Sequence, residues 1–585
     1  MASQPIQVKD IFSGSTGSSP FNLTNINGTL FFSATDNTGG SELWKSDGTE
    51  AGTVRVKDIF VGVAGSEPGS FANVNGTLFF SARDSVGNRE LWKSDGTEAG
   101  TVRVKDISGE GSPENLTNVN GTLFFVAQDS AGNRELWKSD GTEAGTVRVK
   151  DINPGNGGSN PSNLTNVNGT LFFTADDGTG DIELWKSNGT EAGTVRVKNI
   201  NLGLTSSEPS QLTNINGTLF FAAIDNTGGT ELWRSDGTEA GTVRIKDINP
   251  GVNGSFPAYF ANVNGTAFFA AGDGVSGYEL WKSDGTEAGT VLVKDINPGS
   301  TGSIPENLTN VNGTLFFTAN DGTGGNELWK SDGTTAGTVR VKDINPGSGD
   351  SDPFSLLNVN GTLYFAAQDS AGDFELWKSD GTDAGTVRVA DINITGSSNP
   401  GRLTYANGTL FFAATGGATV GQELWSLKVG ITGQPGAAPT PIKFTGGKKG
   451  LTNRGSKNND RITGSARNDL ISGGKGKDVL NGGNGNDRLF GGDGKDKING
   501  GNGNDRIDGG NDSDSLTGGN GDDQILGGKG NDSLLGSNGR DVLVGGEGRD
   551  ILTGGAGKDV FTFNSLKDGV DTVRDFRLAD DVLDL

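Results

Sequence analysis

The sequence predicts an all-β protein with two parts, an N-terminal β-propeller of nine four-stranded blades and a C-terminal parallel β-roll. Three observations predict this fold class. Nine tryptophans recur at intervals of 48 residues, with a single interval of 45. Near residue 455 the repeat length falls to nine residues. Glycine is abundant, at 99 of 585 residues, and shows no collagen-like triplet period, which is typical of turn-rich repeats.

Each 48-residue unit contains four short strand signals. In the first unit the pattern NLTNI is followed by Asn27-Gly28, a pair that favours a two-residue hairpin turn, and then by TLFFSA. The patterns ELWKS (42–46) and TVRVKDI (53–59) come next, joined by DGTEAG. Four short strands in a unit of this length are typical of one propeller blade.

The number of units predicts that the array closes into a ring. VKDI-type strands, NGT turns and ELW strands each occur nine times. The first VKDI strand has no DGTxxGT segment before it, and the ninth ELW strand has none after it. The array therefore holds nine complete sets of four strands, whereas an open solenoid would need distinct end caps. Nine blades exceed the usual four to eight.

The ELW and DGT segments resemble those of the bacterial family named for its ELWxxDGT repeat, over about residues 8–429. The resemblance implies shape and carries no chemistry. We interpret the nine tryptophans as packing between blades in preference to sugar platforms, because nine identical placements favour a structural role. NGT matches a glycosylation sequon and also suits a type I′ turn, and the turn is the favoured interpretation. Asp47 and its equivalents are interpreted as turn formers.

Acidic pairs in the propeller loops offer a weaker alternative. Asp176, Asp177 and Asp181, or Asp350 and Asp352, could be general acid/base pairs or calcium ligands, but solvated turns are the favoured interpretation. We find no acidic or aromatic cluster confined to one blade. A ligand of the propeller is expected at the loops that vary between units, such as 36–41, 83–89, 177–182 and 272–278.

Twelve consecutive nonapeptides, from Gly455 to Thr562, follow the pattern G-G-x-G-x-D-x-U-x, where U is a large aliphatic residue. Glycine at positions one, two and four allows positive φ and exposes backbone carbonyls. The aspartate at position six supplies a carboxylate, and the aliphatic residue is expected to face inward. Carboxylate and carbonyl oxygens are the ligands that calcium prefers.

These repeats resemble the RTX (haemolysin-type) calcium-binding repeats of secreted toxins and proteases. The resemblance implies two nonapeptides per coil and calcium ions shared between an aspartate and the turn carbonyls of stacked loops. The candidate metal-binding residues are Asp478, Asp487, Asp496, Asp505, Asp514, Asp523, Asp532, Asp541, Asp550 and Asp559, with Gly473, Gly476, Gly482, Gly485, Gly491 and Gly494. Asp460 and Asp469 are weaker candidates, because their repeats replace glycines with Ser456, Asn458, Ser465 and Arg467.

The last segment, with GVDTVRDF and DDVLDL, resembles the segment that follows the roll in serralysin-like proteins. That resemblance implies export through an ABC-type channel and an extracellular or cell-surface location. The start, MASQPIQVKD, lacks an apolar signal stretch, so export by the usual N-terminal route is not expected. We predict a propeller at 7–429, a Gly/Pro/Ala/Lys-rich linker at 430–454, the roll at 455–562 and the secretion-like tail at 563–585.

Composition excludes several function classes. Histidine and cysteine are absent, which removes Ser/His/Asp triads, Cys/His pairs and His/Cys zinc sites. The formal charge of −24 opposes binding to nucleic acid and to anionic membranes. The sequence contains no run of 18 apolar residues, so no transmembrane helix is expected.

The sequence thus favours a secreted, non-enzymatic calcium-binding repeat protein with a structural, adhesive or display role at the cell surface. Its expected partners are calcium ions, an ABC-type secretion channel and a cell-surface polysaccharide or protein. The alternative is an exported protein that binds or degrades polysaccharide through the variable propeller loops, since two carboxylates suffice for a glycosidase. No catalytic residue stands out in the sequence.

Overall fold

The computed structural model describes residues 4–429, 452–454, 459–563 and 570–584, apart from residues 39, 63, 64, 108–110, 156, 203–205, 228, 418 and 419. The chain divides into two compact units, Met1–Ile431 and Thr432–Leu585, and each is described by itself. Strands are numbered β1 to β51 in chain order. Most of the predicted linker lies outside the described residues, which begin again at β37 (Thr452–Arg454).

The first unit consists of nine four-stranded antiparallel sheets, so the predicted nine-bladed propeller is confirmed. The innermost strands are β2 Phe21–Ile26, β6 Gly69–Val74, β10 Glu114–Val119, β14 Ser162–Val167, β18 Ser210–Ile215, β22 Ala258–Val263, β26 Glu306–Val311, β30 Phe354–Val359 and β34 Gly401–Ala406. The second strands are β3 Thr29–Thr35, β7 Thr77–Arg83, β11 Thr122–Gln128, β15 Thr170–Asp176, β19 Thr218–Ile224, β23 Thr266–Gly272, β27 Thr314–Asn320, β31 Thr362–Gln368 and β35 Thr409–Gly417.

The remaining two strands of each blade come from the ELW and VKDI segments. The third strands are β4 Ser41–Ser46, β8 Arg89–Ser94, β12 Arg134–Ser139, β16 Ile182–Ser187, β20 Thr230–Ser235, β24 Tyr278–Ser283, β28 Asn326–Ser331, β32 Phe374–Ser379 and β36 Val420–Lys428. The outermost strands are β1 Ile6–Lys9, β5 Val54–Lys57, β9 Val102–Lys105, β13 Val147–Lys150, β17 Val195–Lys198, β21 Val243–Lys246, β25 Val291–Lys294, β29 Val339–Lys342 and β33 Val387–Ala390.

The ring closes by combining the two ends of the array in one blade. β1 pairs antiparallel with β36, so the ninth sheet has the order β1-β36-β35-β34. The buried carboxylate of Glu423 in β36 accepts hydrogen bonds from the backbone N–H groups of Ile11 (3.2 Å), Phe12 (3.2 Å) and Ser18 (2.8 Å). Because β1 completes the ninth blade, the array contains nine complete sets of four strands and no strand is left over.

The hydrophobic core of the propeller lies between neighbouring blades. Trp92 of the second blade packs in one cluster with Phe31, Leu43 and Val56 of the first blade. Eight equivalent clusters repeat this arrangement around the ring. The interpretation of the tryptophans as packing residues is therefore correct, and their burial leaves them unsuited to act as exposed sugar platforms.

The repeated turns also have the predicted structural roles. Asn27 and Gly28 have φ of 50° and 87°, the positive pair that a type I′ hairpin requires. In the DGT turn, Oδ1 of Asp47 accepts hydrogen bonds from the N–H (2.9 Å) and hydroxyl (2.7 Å) of Thr49. These residues are fixed by backbone geometry, which accounts for their recurrence without a chemical role.

The second unit is a parallel β-solenoid, as predicted. Its two sheets have the orders β37-β39-β41-β43-β45-β47-β49-β51 and β38-β40-β42-β44-β46-β48-β50. The strands are β38 Arg461–Thr463, β39 Leu470–Lys475, β40 Val479–Asn484, β41 Arg488–Asp493, β42 Lys497–Asn502, β43 Arg506–Asn511, β44 Ser515–Asn520, β45 Gln524–Lys529, β46 Ser533–Asn538, β47 Val542–Glu547, β48 Ile551–Ala556, β49 Val560–Thr562, β50 Thr572–Val573 and β51 Val582–Asp584.

Two nonapeptides make one coil of the solenoid. Ile471 lies beside Leu489, and Leu489 beside Ile507, so equivalent residues are 18 positions apart. The inward residues form one narrow core, which consists of Ile462, Ile471, Leu480, Leu489, Ile498, Ile507, Leu516, Ile525, Leu534, Leu543, Leu552 and Phe561. Each nonapeptide contributes only one large buried side chain, so the hydrophobic core of this glycine-rich unit is small.

One expectation about the glycines is wrong. Positive φ is found at position two, as at Gly474 (105°), and at position four, as at Gly476 (121°), but not at the first glycine of the pattern, such as Gly473, Gly482 and Gly491. A Cβ at Gly473 would collide with Oδ2 of Asp478. The first glycine is therefore required by the close approach of the aspartate and not by its own backbone conformation.

Candidate metal centre

The repeated aspartates lie inside the turns of the roll and form two rows. From Asp469 to Asp559 every aspartate at position six is at most 4% exposed, while Asp460 is only partly buried. Neighbouring members of a row are 18 residues apart, because each coil contains two nonapeptides. Burial of so many carboxylates in one narrow unit needs compensation, since a buried charge without a partner costs several kcal/mol.

One oxygen of each carboxylate has a regular partner. Oδ1 of Asp496 accepts a hydrogen bond from the backbone N–H of Asp478 (2.8 Å), and Oδ1 of Asp514 accepts one from Asp496 (2.7 Å). The same bond recurs along both rows from Asp460 to Asp559. These bonds hold each carboxylate against the preceding coil and fix the direction of its second oxygen.

The second carboxylate oxygen, Oδ2, lacks such a partner in the central repeats. Oδ2 is buried and has no hydrogen-bond partner among the described residues at eight positions: Asp478, Asp487, Asp496, Asp505, Asp514, Asp523, Asp532 and Asp541. An unsatisfied buried polar atom costs about 1–3 kcal/mol, and more if it is charged. Eight identical exceptions in phase with the repeat indicate a function for this atom that hydrogen bonding within the protein does not fulfil.

Backbone carbonyls converge on the same point. A Cβ built on Gly491 would collide with Oδ2 of Asp496 and with the carbonyl oxygen of Gly509 in the following coil. The same pair of oxygens surrounds Gly473, where the partners are Asp478 and Gly491. A carboxylate oxygen of one loop and a carbonyl oxygen of the next therefore lie together, and this hard oxygen donor set fits calcium.

Within the described residues, no group of three or more acidic side chains lies close enough to hold a metal ion. A calcium ion in the roll would accordingly be held by few carboxylates together with backbone carbonyls. Gly476, Gly485 and Gly494, at position four, have positive φ and belong to the same turns as the aspartates. The structure thus places the predicted aspartates and glycines in one repeated arrangement.

The electrostatics of the rows also favour a cation. Burial, and to a smaller extent the neighbouring aspartates of the same row, raise the pKa of Asp514 and of Asp523 to about 7. Burial likewise raises the pKa of Asp487 and Asp496 to about 6. Burial without a positive partner makes ionisation of these carboxylates less favourable, and a divalent cation would supply that partner.

The N-terminal edge of the roll differs, as the substitutions there suggest. Both oxygens of Asp469 accept hydrogen bonds from the hydroxyl of Ser465, at 3.0 and 3.1 Å, and Oδ2 also accepts one from the Ser465 N–H (2.5 Å). Ser465 occupies a position that is glycine in most repeats. Oδ2 of Asp469 therefore has a protein partner, which Oδ2 of the eight central aspartates lacks, although it still lies with the carbonyl oxygen of Gly482 beside Gly464 as in the central repeats.

The residues after the roll contain three aspartates that the repeat pattern did not identify. Oδ1 of Asp571 accepts a hydrogen bond from the N–H of Asp550 (2.9 Å), and Oδ1 of Asp581 accepts one from Asp559 (3.1 Å). Asp575 accepts the N–H groups of Gly554 and Gly555, at 2.9 and 2.8 Å. The tail therefore continues both rows by one step. Residues 571–573 and 581–583 repeat the D-x-U part of the nonapeptide, but they do not follow the nine-residue spacing, so the repeat pattern did not include them.

Comparison with known families supports the assignment of this unit. Residues 454–489, 481–516, 499–534 and 535–566 match the family model described as RTX calcium-binding nonapeptide repeat. The C-terminal unit carries RTX calcium-binding repeats. The RTX match covers the region in which the aspartate rows lie. No family model confirms the ELWxxDGT resemblance of the propeller, and no curated protein matches the chain.

Solved structures resemble the propeller at low similarity. A puromycin hydrolase mutant complexed with PGG is 16% identical, with a TM-score of 0.32, and the match covers 62% of this chain and 61% of that one. The propeller domain of the Trilobed protease from Pyrococcus furiosus is 10% identical, with a TM-score of 0.32, over 65% of this chain and 98% of that one. The BP39L lectin from Burkholderia pseudomallei is 12% identical, with a TM-score of 0.27, over 63% and 98%.

The matched region spans about three fifths of the length of the puromycin hydrolases, at 61% for the mutant and 60% for a second structure of such an enzyme. At this level of similarity the comparison concerns the fold alone. The part of the chain that the structure describes has no helix with the length and apolar character needed to cross a membrane.

The acidic loops of the propeller are held by contacts within the protein. Asp177 and Asp181 both face Arg196, at 3.2 and 3.6 Å. Oδ1 of Asp350 accepts the N–H of Asn326 (2.6 Å), and Oδ1 of Asp352 accepts its side-chain amide (3.0 Å). Asp350 and Asp352 are exposed, in agreement with their interpretation as solvated turn residues, whereas Asp181 is 2% exposed and is therefore not solvated as expected.

Proposed function

We propose that this protein is an exported, non-enzymatic calcium-binding repeat protein with an adhesive or display role at the cell surface, and that calcium drives the folding of its roll. The observation that carries the proposal is the row of buried Oδ2 atoms without partners. A calcium ion bound between coils would neutralise these oxygens and tie adjacent loops together. The candidate ligands are the position-six aspartates from Asp478 to Asp559 and carbonyls of the glycine turns.

The energetics make the roll dependent on its ligand. One inward side chain per nonapeptide gives a small hydrophobic contribution, while ordering each glycine-rich loop costs roughly 1–2 kcal/mol per residue in backbone entropy. A bound ion stabilises the folded state by RT ln(1 + [L]/Kd), which is about 4 kcal/mol at a thousandfold excess over Kd. Several sites in series make folding a steep function of calcium concentration.

The test compares the full-length protein in calcium and in chelator. We expect the parallel sheets of the roll to be protected from protease and hydrogen exchange at millimolar calcium and unprotected in chelator. Asp514→Asn with Asp523→Asn should raise the calcium concentration at the midpoint of folding, because each change removes a candidate ligand. Asp493→Asn is the matched control, since Asp493 lies on the outer edge and pairs with Lys475 (2.7 Å). Equal protection with and without calcium would refute the proposal.

The export step is proposed from the resemblance of the tail to the segment that follows the roll in serralysin-like proteins. If the roll folds only when calcium binds, it is unfolded in the cytosol, where calcium is low, and folds outside the cell, where calcium is high. An unfolded roll is suited to passage through an ABC-type channel. When the protein is expressed with such an exporter, we expect it in the medium, and removal of residues 563–585 should retain it in the cell. Secretion of the shortened chain at the normal level would exclude the tail as the export signal.

A further inference from the structure

The nine blades differ at one mouth of the propeller. Immediately before each innermost strand is a residue followed by proline, and that residue has φ between 40° and 50° in every blade. In seven blades it is polar: Ser19, Glu67, Ser112, Asn160, Glu208, Asp352 and Asn399. In the two remaining blades it is Phe256 and Ile304.

Local structure does not explain these two apolar residues. The left-handed backbone region favours Asn and Asp and strongly disfavours a β-branched residue such as Ile304. Burial does not compensate, because Phe256 is 51% exposed and Ile304 is 54% exposed. About half of each side chain is exposed, and residues held in sparsely populated backbone regions cluster at functional sites.

The two residues lie in consecutive blades, and a nearby tyrosine links these blades by a hydrogen bond. Tyr259 in β22 is 46% exposed, and its hydroxyl donates a hydrogen bond to Oε1 of Glu306 in β26 (3.0 Å). In other blades the corresponding residue, for example Asn163, donates to the proline carbonyl of the next blade. Phe256, Tyr259 and Ile304 are thus exposed residues of two consecutive blades, and together they are called here the apolar mouth patch.

The surroundings of the apolar mouth patch are acidic. The equivalent residue of the preceding blade is Glu208 and that of the following blade is Asp352, and both are exposed. Glu306 follows Ile304 by two residues in the same blade and accepts the hydrogen bond of Tyr259. A recess of about 350 Å³ beside Tyr259 is lined by residues of β22, β26 and β30. These blades thus present two exposed apolar residues, a recess lined by Tyr259 but by neither of them, and acidic residues at the equivalent positions on either side.

We propose that the apolar mouth patch binds a peptide segment of a partner protein in which two apolar side chains are bordered by lysine or arginine. The apolar residues would cover Phe256 and Ile304, and the basic residues would face Glu208 and Asp352. Charge complementarity carries the choice of partner, together with the net charge of −24, which opposes acidic ligands. Phe256 and Tyr259 present rings that could also face a sugar, but the aliphatic side chain of Ile304 and the flanking carboxylates favour an apolar and basic peptide over a glycan.

The test uses full-length protein with calcium and a labelled short peptide that has Phe-Leu between two lysines. We expect saturable binding that weakens with salt, and about tenfold weaker binding for a peptide with glutamates in place of the lysines. Phe256→Ser with Ile304→Asn installs the residues of other blades and should weaken binding at least about tenfold without lowering the melting temperature. Ser112→Asn with Asn399→Ser, at the equivalent positions elsewhere in the ring, is the matched control.

Four results would overturn the proposal. Unchanged peptide affinity in the Phe256→Ser, Ile304→Asn variant would place binding elsewhere. Equal affinity for the lysine and glutamate peptides would show that charge complementarity does not select the partner. Binding of the lysine peptide that does not saturate would show that no specific site exists. Glycan-array binding that the same double variant abolishes would assign the patch to carbohydrate in place of a peptide.

Discussion

At the residue scale, the two carboxylate oxygens of each repeated aspartate have different contacts. Oδ1 is held by the backbone of the preceding coil, as Asp514 is by Asp496 (2.7 Å), while Oδ2 is buried beside a carbonyl of the next loop. The first glycine of each repeat makes room for this carboxylate. The sequence pattern identifies the residues, but the division of roles between the oxygens depends on contacts 18 residues away.

The exceptions to the glycine pattern give a prediction about backbone strain. Ser537 (φ 88°) and Asp512 (φ 77°) occupy glycine positions in the left-handed region. Ser537→Gly should stabilise the calcium-bound roll by about 1 kcal/mol, because the strain of a non-glycine residue there is relieved. Gly528→Ala is the opposite control, since a Cβ at Gly528 would collide with the carbonyl of Gly510. Urea unfolding at saturating calcium measures both, and a destabilised Ser537→Gly variant would contradict this account.

The glutamate of each ELW segment gives a prediction about pH. Oε2 of Glu327 accepts hydrogen bonds from the N–H of Ile344 (2.9 Å) and the hydroxyl of Ser351 (2.7 Å), and burial raises the pKa of Glu327 from an ordinary 4.5 to about 7. The unfolded chain ionises first as pH rises, so the stabilising contribution is fully present below pH 4.5 and is lost as pH passes about 7.

We therefore expect Glu327→Gln to reduce the loss of propeller stability between pH 5 and pH 8, by at most about 3 kcal/mol. Chemical unfolding at several pH values, followed by tryptophan fluorescence, measures the slope. Glu547→Gln, at a residue that is 58% exposed in the other unit, serves as the control and should leave the slope unchanged. A slope that is the same in Glu327→Gln and in the parent would show that Glu327 does not titrate in this range.

At the element scale, different contacts join successive blades of the propeller and complete the last coil of the roll. The propeller blades are short antiparallel sheets, and the buried ELW glutamates hold the loop that leads to the next blade, as Glu42 binds the N–H groups of Ile59 (3.0 Å) and Ser66 (2.8 Å). The roll extends its two parallel sheets into the tail through β50 and β51. The tail thus acts as the final, atypical coil that solenoids require.

This role of the tail predicts the effect of removing Asp575. Asp575→Ala leaves the N–H groups of Gly554 and Gly555 without their carboxylate partner, and hydrogen bonds to charged groups are worth about 1.5–3 kcal/mol each before compensation by water. We expect a lower melting temperature of the roll and faster hydrogen exchange in its last coils. Asp580→Ala, at an exposed residue five positions on, is the control. Equal exchange in both variants would argue against a capping role.

At the scale of the whole molecule, the propeller is one closed ring because its first strand completes its last blade. β1 contributes Val8, which is 4% exposed, to the core shared with Leu424 of β36 and Trp44 of the first blade. The contacts that close the ring join residues about 410 positions apart, as between Glu423 and Ile11. Loss of this blade would expose the apolar faces of the two neighbouring sheets.

We expect Val8→Asp to destabilise the propeller by about 3 kcal/mol or more, because it buries a charge without a partner in the closing blade. Ile6→Asp is the matched control on the same strand, since Ile6 is 58% exposed, and it should have little effect. Calorimetry of the propeller transition distinguishes the two variants. A similar melting temperature for both would mean that β1 contributes little to closure.

The sequence by itself determined the periodic features of this protein. The 48-residue and nine-residue periods, the Asn-Gly turns and the complete count of strand sets depend on neighbours within one repeat, so they identify the nine blades, the roll and its aspartates. The apolar mouth patch, which two consecutive blades share, does not stand out in the sequence, because its significance depends on φ and exposure.

Only the tertiary structure decided which atoms meet. The regular contacts of the aspartate rows and of the tail aspartates join neighbouring coils. The first glycine of each repeat meets the aspartate of its own repeat and a carbonyl of the next coil, and the ELW glutamates hold loop residues 17 and 24 positions further along the chain. The physical reason is that repeats align equivalent positions in space at separations of 18 or 48 residues, where the local sequence carries no trace of the contact. Periodicity therefore predicts the fold, and the packing of one repeat on the next defines the candidate sites.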